Sequence, residues 1–283
     1  MLEDVALDGI TFEDVTALFE ADAPLLIDHD AIDYTDIPPL KDAWFGSFKF
    51  PDPDIIPVYD FINENNKKYP DRFHMVSIGF SLFERAWSLV GMENLMIYLL
   101  TEPGFIKELL DRITEYNIRV IENAAAIGVD CVHLCDDWGS QNGLMISREM
   151  WNEFFKPRFN KICQVAKNKG LLVSLHSCGK VDELFPDMIE AGVDVFDPFQ
   201  PEVMDIFVLR EQFRNKLAFW GGLSVQKILP YGTPDDVRAE SKKIVTELAP
   251  GGGYIFSPSH SLTGDIPIEN ILAFLEIAQN QKM

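Results

Sequence analysis

The stretch Leu171-Leu172-Val173-Ser174-Leu175-His176-Ser177-Cys178-Gly179 is a short apolar run that ends in an imidazole, a thiol and a glycine. The run Leu171–His176 has the length and composition of a buried β-strand. Patterns of helical period flank it, over Ser147–Lys169 before it and Val181–Ala191 after it. A strand between two helices of this length predicts a βαβ unit with parallel strand pairing.

The same alternation extends over residues 71–283. The further candidate strands are Phe73–Gly79, Val129–Cys135, Val193–Asp197, Leu217–Gly221 and Gly253–Ser257. The further helical patterns are Leu82–Leu100, Pro103–Ile127, Pro201–Phe213, Pro234–Leu248 and a last one after Pro267. No strand is followed by the glycine fingerprint of a dinucleotide fold or by a phosphate loop. We therefore predict an α/β fold of the closed (β/α)₈ (TIM) barrel type, not an open doubly wound sheet.

The first 70 residues break this pattern. Pro38-Pro39 and the turn-rich stretch from Phe50 to Asp54 interrupt them, and Leu25–Asp28 and Trp44–Phe48 are the additional strand candidates. We expect residues 1–283 to form a single barrel domain, with an irregular N-terminal part at 1–70 and clear β/α alternation at 71–283.

The composition excludes two classes of partner. The chain has 24 basic and 45 acidic residues, for a formal net charge of −21. Such a surface repels phosphate backbones and anionic lipid, so we expect neither a nucleic acid nor a membrane partner. No secretory segment opens the chain, and no run approaches the roughly 18 apolar residues of a membrane span. We expect a cytoplasmic protein whose four cysteines stay reduced.

Side chains alternate between the two faces of a strand, and this sorts the residues of the opening stretch. Leu171, Val173 and Leu175 suit the helix layer. Ser174, His176 and Cys178 point into the barrel near the carboxyl end, where catalytic groups of such barrels sit. An imidazole and a thiol two positions apart can bind one metal ion. The alternative is a Cys178 packed in the core and a His176 satisfied by a hydrogen bond.

Two other strand ends carry polar residues. In Cys131–Asp137 the same alternation leaves Asp137 inward at the barrel mouth and turns Asp136 toward the flanking loops. His260 lies on a loop after the strand Gly253–Ser257. Ligands from separate strands, without the paired Cys-x-x-Cys spacing of structural zinc, suit a catalytic ion with one open position. His176, Cys178 and His260 are therefore the candidate metal ligands.

Further side chains are expected around this mouth. The candidate catalytic residues are Asp137, which can orient a substrate or pass a proton, Glu84 and Gln141. The candidate substrate-binding residues are Asp136, Gln200, Trp138 and Phe199, with the two aromatic rings as an apolar wall. For Asp137 the alternatives are a helix N-cap or a carboxylate that pairs with an amide at the barrel mouth. For Glu84 the alternative is a solvated first-turn carboxylate, and for the rings it is ordinary packing.

These residues resemble motifs of the uroporphyrinogen decarboxylase superfamily. The matching segments are Gly91-Met92-Glu93-Asn94, Asp136-Asp137-Trp138-Gly139, Gln141, His176-Ser177-Cys178-Gly179, Ala191-Gly192-Val193-Asp194, Pro198-Phe199-Gln200 and Gly252-Gly253-Tyr254-Ile255-Phe256. The resemblance extends from Phe50 to the C-terminus and implies a (β/α)₈ barrel.

Within that superfamily, the His-x-Cys pair resembles the cobalamin-dependent methyltransferases. The decarboxylases grip a polycarboxylate substrate with N-terminal arginines, whereas this chain has no arginine before Arg72. The methyltransferases bind zinc through a histidine and two cysteines, which implies His176 and Cys178 as the first two ligands and finds His260 where the second cysteine would fall. The N-terminal segment is shorter than the usual start of the family, so we expect the first strand to be missing or replaced.

The resemblance implies a zinc-dependent methyltransferase that moves a methyl group between a small methylated donor or thiol acceptor and a corrinoid protein. Zinc with an open position either binds a thiol as thiolate or acts as a Lewis acid on the donor, and the His-Cys-His set favours the second role. No Asp-x-His-x-x-Gly corrinoid signature occurs, so cobalamin is expected on a partner protein. A lyase without a stable metal, a non-catalytic family member and a homodimer remain the open alternatives.

Overall fold

A sheet of six parallel strands forms the centre of the computed structural model, which describes residues 49–55 and 58–280. The strands are β1 (Met75–Ile78), β2 (Cys131–Cys135), β3 (Leu172–His176), β4 (Val195–Phe199), β5 (Ala218–Leu223) and β6 (Tyr254–Pro258). They pair in chain order, and every neighbouring pair is parallel. This sequential order is that of a (β/α)₈ barrel, because a doubly wound sheet reverses its order at a switch point. The predicted fold is confirmed.

The strands form where the sequence places apolar runs. Their centres are enclosed: Val132, Val173, Phe196 and Phe219 are each 0% exposed. Both faces of such a sheet are covered, so its strands read as continuous apolar segments bounded by turns. For this reason the six strands predicted from residue 73 onward are confirmed, with boundaries that differ by at most two residues.

Helices connect the strands and cover the outer face of the sheet. They are α1 (Val58–Lys68), α2 (Phe83–Val90), α3 (Met92–Thr101), α4 (Pro103–Ala126), α5 (Arg148–Met150), α6 (Lys156–Asn168), α7 (Phe185–Ala191), α8 (Ile206–Gln212), α9 (Ile228–Tyr231), α10 (Pro234–Leu248) and α11 (Ile268–Gln279). A π-helical turn at Trp151–Phe155 joins α5 to α6, and a 3₁₀ turn at Asp182–Leu184 precedes α7.

Local chemistry explains where the helices depart from prediction. The single helix expected over Leu82–Leu100 is split into α2 and α3, because Gly91 adopts a φ of 85°, which is strained for other residues. The helix expected from Pro201 begins only after Asp205, whose side chain caps α8. The expectation that residues 1–70 are irregular is wrong for residues 58–68, which form the helix α1.

A cluster of phenylalanines joins β4 and β5 to the helix layer. The ring of Phe185 in α7 lies 4.7 Å from Phe196 and 5.6 Å from Phe219, measured between centroids. All three side chains are 0% exposed. Burial of one such side chain is worth roughly 1.5–3 kcal/mol. The cluster therefore anchors the strands whose carboxyl ends carry the candidate site.

Several predictions concern residues outside the described ranges. The strand candidates Leu25–Asp28 and Trp44–Phe48 lie there, as does the expected replacement of the first strand. Residues Lys41–Met283 form one compact unit, and the single domain over 1–283 stays a prediction. Across the part of the chain that the structure describes, no helix combines the length and apolarity that a bilayer crossing requires.

Candidate metal centre

Polar side chains of β2 and β3 meet on the inner face of the sheet. The hydroxyl of Ser174 lies 2.9 Å from Nδ1 of His133, and the rings of His133 and His176 are in contact at a centroid distance of 6.2 Å. On the other face, Val173 and Leu175 are 0% exposed beneath the helices. The alternation thus places Ser174 and His176 together on the inner side, as the sequence predicts.

His176, the last residue of β3, is held by a carboxylate from the next strand. Its Nδ1 lies 2.5 Å from Oδ2 of Asp197, and its Nε2 lies 3.3 Å from Sγ of Cys178. Burial lowers the pKa of His176, but the hydrogen bonds to Asp197 and Cys178 outweigh it and raise the pKa to about 11. Since Asp197 occupies Nδ1, the ring directs Nε2 toward Cys178.

Backbone contacts hold Cys178 beside this ring. Its N–H donates to Oδ1 of Asp137 at 2.7 Å. The next residue, Gly179, has a φ of 83°, and a Cβ there would overlap the carbonyl group of Gly139. The loops after β2 and β3 therefore touch through their backbones, which requires glycine on both sides.

His260 approaches from the loop after β6. Its ring centroid lies 5.9 Å from that of His176, and the donor atoms of His176, Cys178 and His260 all lie within 4.8 Å of one another. Tetrahedral zinc, with Zn–S near 2.3 Å and Zn–N near 2.0–2.1 Å, needs a sulfur-to-nitrogen separation of roughly 3.6 Å. The Sγ–Nε2 distance of 3.3 Å is close to that value. The three side chains fit one zinc ion with a fourth position open.

A second group of potential ligands, His133, His176 and Asp197, suits a metal less well. Nδ1 of His176 and the Asp197 carboxylate are hydrogen-bonded at 2.5 Å, closer than the roughly 3 Å that separates two ligands of one ion. Asp197 instead orients His176 through Nδ1, an arrangement that also occurs around histidines that bind zinc.

Asp136 supports the site from the core. Its carboxylate is 0% exposed and accepts hydrogen bonds from Nε1 of Trp138 and from the backbone N–H groups of Leu82, Phe83 and Glu84. Burial raises the pKa of Asp136 to about 6 against the effect of these bonds. The substrate-binding roles expected of Asp136 and Trp138 are wrong, because the first caps α2 and the second is 1% exposed.

Phe199 is likewise a core residue. Simple alternation along β4 would turn it inward with Asp197, but the strand register shifts between Phe196 and Phe199. The ring instead stacks on Phe219 at a centroid distance of 4.1 Å and is 0% exposed. The expectation that it forms a wall of the substrate site is therefore wrong.

Glu84 reaches the mouth from the first turn of α2. Its pKa is raised to about 7 by burial and by the nearby charges of Asp137 and Asp136, against a hydrogen bond from the backbone of Asp137. A carboxyl group with such a pKa can hold or release a proton at neutral pH. The side chain of Asp137 remains about one-third exposed, at 33%, so it faces the opening.

Two small cavities meet at His260. The first, of about 280 Å³, is lined by Gln141, Cys178, Gln200, Val225, Gln226, Ser259, His260, Ser261 and Thr263. The second, of about 320 Å³, is lined by His176, Asp197, Trp220, Ser257, His260 and Ser261. The structure therefore places Gln141 and Gln200 beside the candidate metal ligands, in a space that a small molecule can enter.

Comparison with known proteins identifies the family. Residues 29–281 match the family described as uroporphyrinogen decarboxylase (URO-D). The chain belongs to the URO-D family. Similar proteins include the methylated-thiol–coenzyme M methyltransferase of Methanosarcina mazei, which is 24% identical over 77% of this chain and 56% of that protein. The uroporphyrinogen decarboxylase of Nitratiruptor sp. is 23% identical over 82% of this chain and 68% of that protein.

Other relatives carry methyltransferase names. Methylcobamide:CoM methyltransferase MtbA of Methanosarcina acetivorans is 27% identical over 65% of this chain and 52% of that protein. A solved methyltransferase structure from M. mazei superposes with a TM-score of 0.65 at 21% identity, over 78% of this chain and 63% of that one. This URO-D chain thus spans little more than half the length of the two methyltransferase relatives.

Asp197 is the site residue that the sequence interpretation missed. It is directly in register with His176, and its side chain is 13% exposed. The sequence carries a signal for it, because Asp197 ends the candidate strand Val193–Asp197 as His176 ends the apolar run Leu171–His176.

Proposed function

We propose that this chain is a zinc-dependent methyltransferase that moves a methyl group between a small methylated donor or thiol acceptor and a corrinoid protein, in the cytoplasm. The observation that carries the proposal is the convergence of His176, Cys178 and His260, with Asp197 behind the first histidine. The relatives named as methyltransferases support it.

His176, Cys178 and His260 would hold the zinc ion. When bound, zinc supplies a Lewis acid with one position open to a small molecule. Two histidines and one thiolate leave the ion more electrophilic than a set with two thiolates would, which favours activation of a methylated donor. With zinc bound, the Asp197 carboxylate would accept a hydrogen bond from Nδ1–H of His176, and Nε2 would give up the proton that its raised pKa otherwise keeps there and bind the ion.

Other side chains would handle the substrate and its proton. Asp137 accepts the N–H of Cys178 at Oδ1, and its side chain is 33% exposed, so it would also be accessible to a substrate. Glu84 holds a proton near neutral pH and can exchange it with a substrate beside Asp137. Gln141 and Gln200 would bind polar groups of the substrate in the first cavity.

The corrinoid would arrive on a partner protein. A cavity of about 280 Å³ accommodates a small molecule, whereas a corrinoid macrocycle is far larger. The chain also lacks an Asp-x-His-x-x-Gly signature. A partner that docks over the mouth would bring its corrinoid to the open metal position.

Metal analysis tests the proposal. We expect one zinc per chain in the purified protein, and loss of both zinc and methyl transfer to or from a corrinoid protein in His176→Ala and Cys178→Ala. His74→Ala is the control, because His74 lies before β1 at the opposite end of the barrel and bonds Tyr69. A wild-type protein without metal, or His176→Ala with unchanged zinc, would favour the alternative, a lyase that needs no metal.

A further inference from the structure

The first cavity, of about 280 Å³, is lined mainly by uncharged polar side chains. Three of them carry an amide and three carry a hydroxyl, namely Gln141, Gln200, Gln226, Ser259, Ser261 and Thr263. The other lining residues are a valine and two of the candidate metal ligands, Cys178 and His260. Among the residues that the structure describes, no aspartate, glutamate, lysine or arginine lines this cavity. A molecule that enters it therefore meets amides and hydroxyls beside the candidate ligands.

Gln200 presents an oriented amide to the cavity. The residue is 5% exposed, and its Oε1 accepts the N–H of Gly179 at 3.4 Å. Within the described chain, its Nε2 group donates to no acceptor. Because Gln200 lines the cavity, this N–H₂ group is available to a ligand oxygen.

Ser259 adds a hydroxyl that has no partner. The residue is 2% exposed, and its backbone N–H donates to the carbonyl of Leu223 at 2.8 Å. Its side-chain oxygen is buried and has no hydrogen bond to any residue that the structure describes. A buried hydroxyl without a partner is costly. A ligand that bonds it, after rotation about the Cα–Cβ bond if needed, would gain affinity.

The nearby carboxylates do not turn this cavity into a site for a cation. Asp137 and Glu84 line neither cavity. Asp197 lines the second cavity, but it is hydrogen-bonded to Nδ1 of His176 at 2.5 Å. A charged group that leaves water without an opposite charge loses more free energy of hydration than amides and hydroxyls return. The donors and acceptors of an uncharged polar group can all be satisfied by them.

We infer that the small molecule bound beside the candidate metal ligands carries an uncharged polar head group, of the amide or alcohol class. This inference rests on the proposed function for the site itself, and it adds the chemical class of the compound that enters. Gln200 is the main determinant of this selectivity, because its amide is buried and is oriented by Gly179.

Alkylation of Cys178 tests the inference without a metal, because this thiol lines the same cavity. The reagents are iodoacetamide, iodoacetate and 2-bromoethylamine, which are neutral, anionic and cationic at neutral pH. In each reaction the thiolate sulfur bonds the halogen-bearing carbon and a halide ion leaves. Peptide mass spectrometry measures the rate at Cys178, and each rate is divided by that of the same reagent with the urea-unfolded protein.

The order of the three corrected rates is decisive. We expect the neutral reagent to react about tenfold faster than either charged one, since one charged group without a partner costs at least that factor. The net charge of the protein would instead produce rates that change steadily from the cation to the anion. Such a steady order, equal rates, or no reaction at Cys178 would overturn the inference.

Variants locate the source of the selectivity. Gln200→Glu keeps an oxygen for the N–H of Gly179 and should make the cationic reagent the fastest. Gln226→Glu adds the charge at an exposed position of the same cavity, for use if the buried charge prevents folding. Gln212→Glu is the control, because Gln212 is the exposed last residue of α8 and lines neither cavity. An equal effect of the cavity variant and the control would refute the role of the cavity amides.

A metal-bound arm separates this inference from the proposed function. The protein is loaded with Co²⁺ and titrated with 2-mercaptoacetamide, mercaptoacetate and 2-aminoethanethiol, and sulfur-to-cobalt absorption reports binding. We expect the amide to bind most tightly. If no cobalt or zinc binds, the methyltransferase proposal fails, and the alkylation rates still decide the inference. If cobalt binds and a charged thiol binds most tightly, the inference fails and the metal site stands.

Discussion

Asp197→Asn should weaken zinc binding while the barrel stays folded. The wild-type carboxylate lies 2.5 Å from Nδ1 of His176 and is 13% exposed, so its charge acts on the ring with little screening by water. An asparagine oxygen can still accept the Nδ1 proton, which keeps the ring oriented. What is lost is the negative charge that makes Nε2 a stronger donor to a metal.

The magnitude follows from this contact. Removal of the partner of a metal-binding histidine costs about 10- to 100-fold in metal affinity, which corresponds to about 1.4–2.8 kcal/mol. The assay is competition for zinc with a chromophoric chelator at neutral pH, accompanied by circular dichroism to verify folding. We expect a dissociation constant raised by that factor.

A matched control lies three residues away. Asp194 pairs with Nζ of Lys167 at 2.7 Å and accepts the N–H of Val173, outside the candidate site. Asp194→Asn should lower the stability and leave the zinc affinity within twofold of wild type. The reasoning is refuted if Asp197→Asn binds zinc as tightly as wild type, or if both variants weaken it equally.

Two further changes test the supports of the site. Glu84 has a folded-state pKa of about 7, raised from an ordinary 4.5, so the stability it contributes is complete below about pH 4.5 and is lost as the pH rises through 7. In the metal-free protein, the free energy of unfolding of Glu84→Gln relative to wild type should therefore increase by up to about 3 kcal/mol from pH 4.5 to pH 8. Urea unfolding at both pH values measures this difference, and a difference that does not change with pH would contradict the prediction. Gly179→Ala should lower the free energy of unfolding by about 2 kcal/mol or more and reduce zinc binding, because its Cβ would overlap the backbone of Gly139. Normal thermal stability together with full zinc content would argue against the close contact between the two loops.

Hydrophobic periodicity predicted the strands correctly, because burial on both faces determines where they form. Strands such as Leu172–His176 are covered on both faces, so hydrophobicity and bounding turns determine them. Helix ends depend instead on single residues. Gly91 adopts a positive φ and divides one predicted helix into two, and Asp205 delays the start of α8. Such choices depend on tertiary contacts that a window of sequence does not contain.

The alternation of side chains between the two faces of a strand predicted which residues of β3 point inward. It failed where the register of a strand shifts and beyond the end of a strand. Ser174 and His176 lie on the inner face as expected, because β3 is regular. Phe199 does not, since the register of β4 shifts just before it. Asp136 was expected in a loop environment and is instead bound by three N–H groups of α2, a long-range partnership that the spacing of residues does not reveal.

The adjacent carboxylates Asp136 and Asp137 connect the two halves of the site. Asp136 binds the N–H groups at the start of α2 and so fixes the turn that carries Glu84. Asp137 points the other way and binds the N–H of Cys178. Because both follow directly after β2, a small displacement of this strand end would move the Glu84 carboxyl and the Cys178 thiol, a candidate metal ligand, together. Four hydrogen bonds to its carboxylate, from the N–H groups of Leu82, Phe83 and Glu84 and from Nε1 of Trp138, offset the burial of the Asp136 charge.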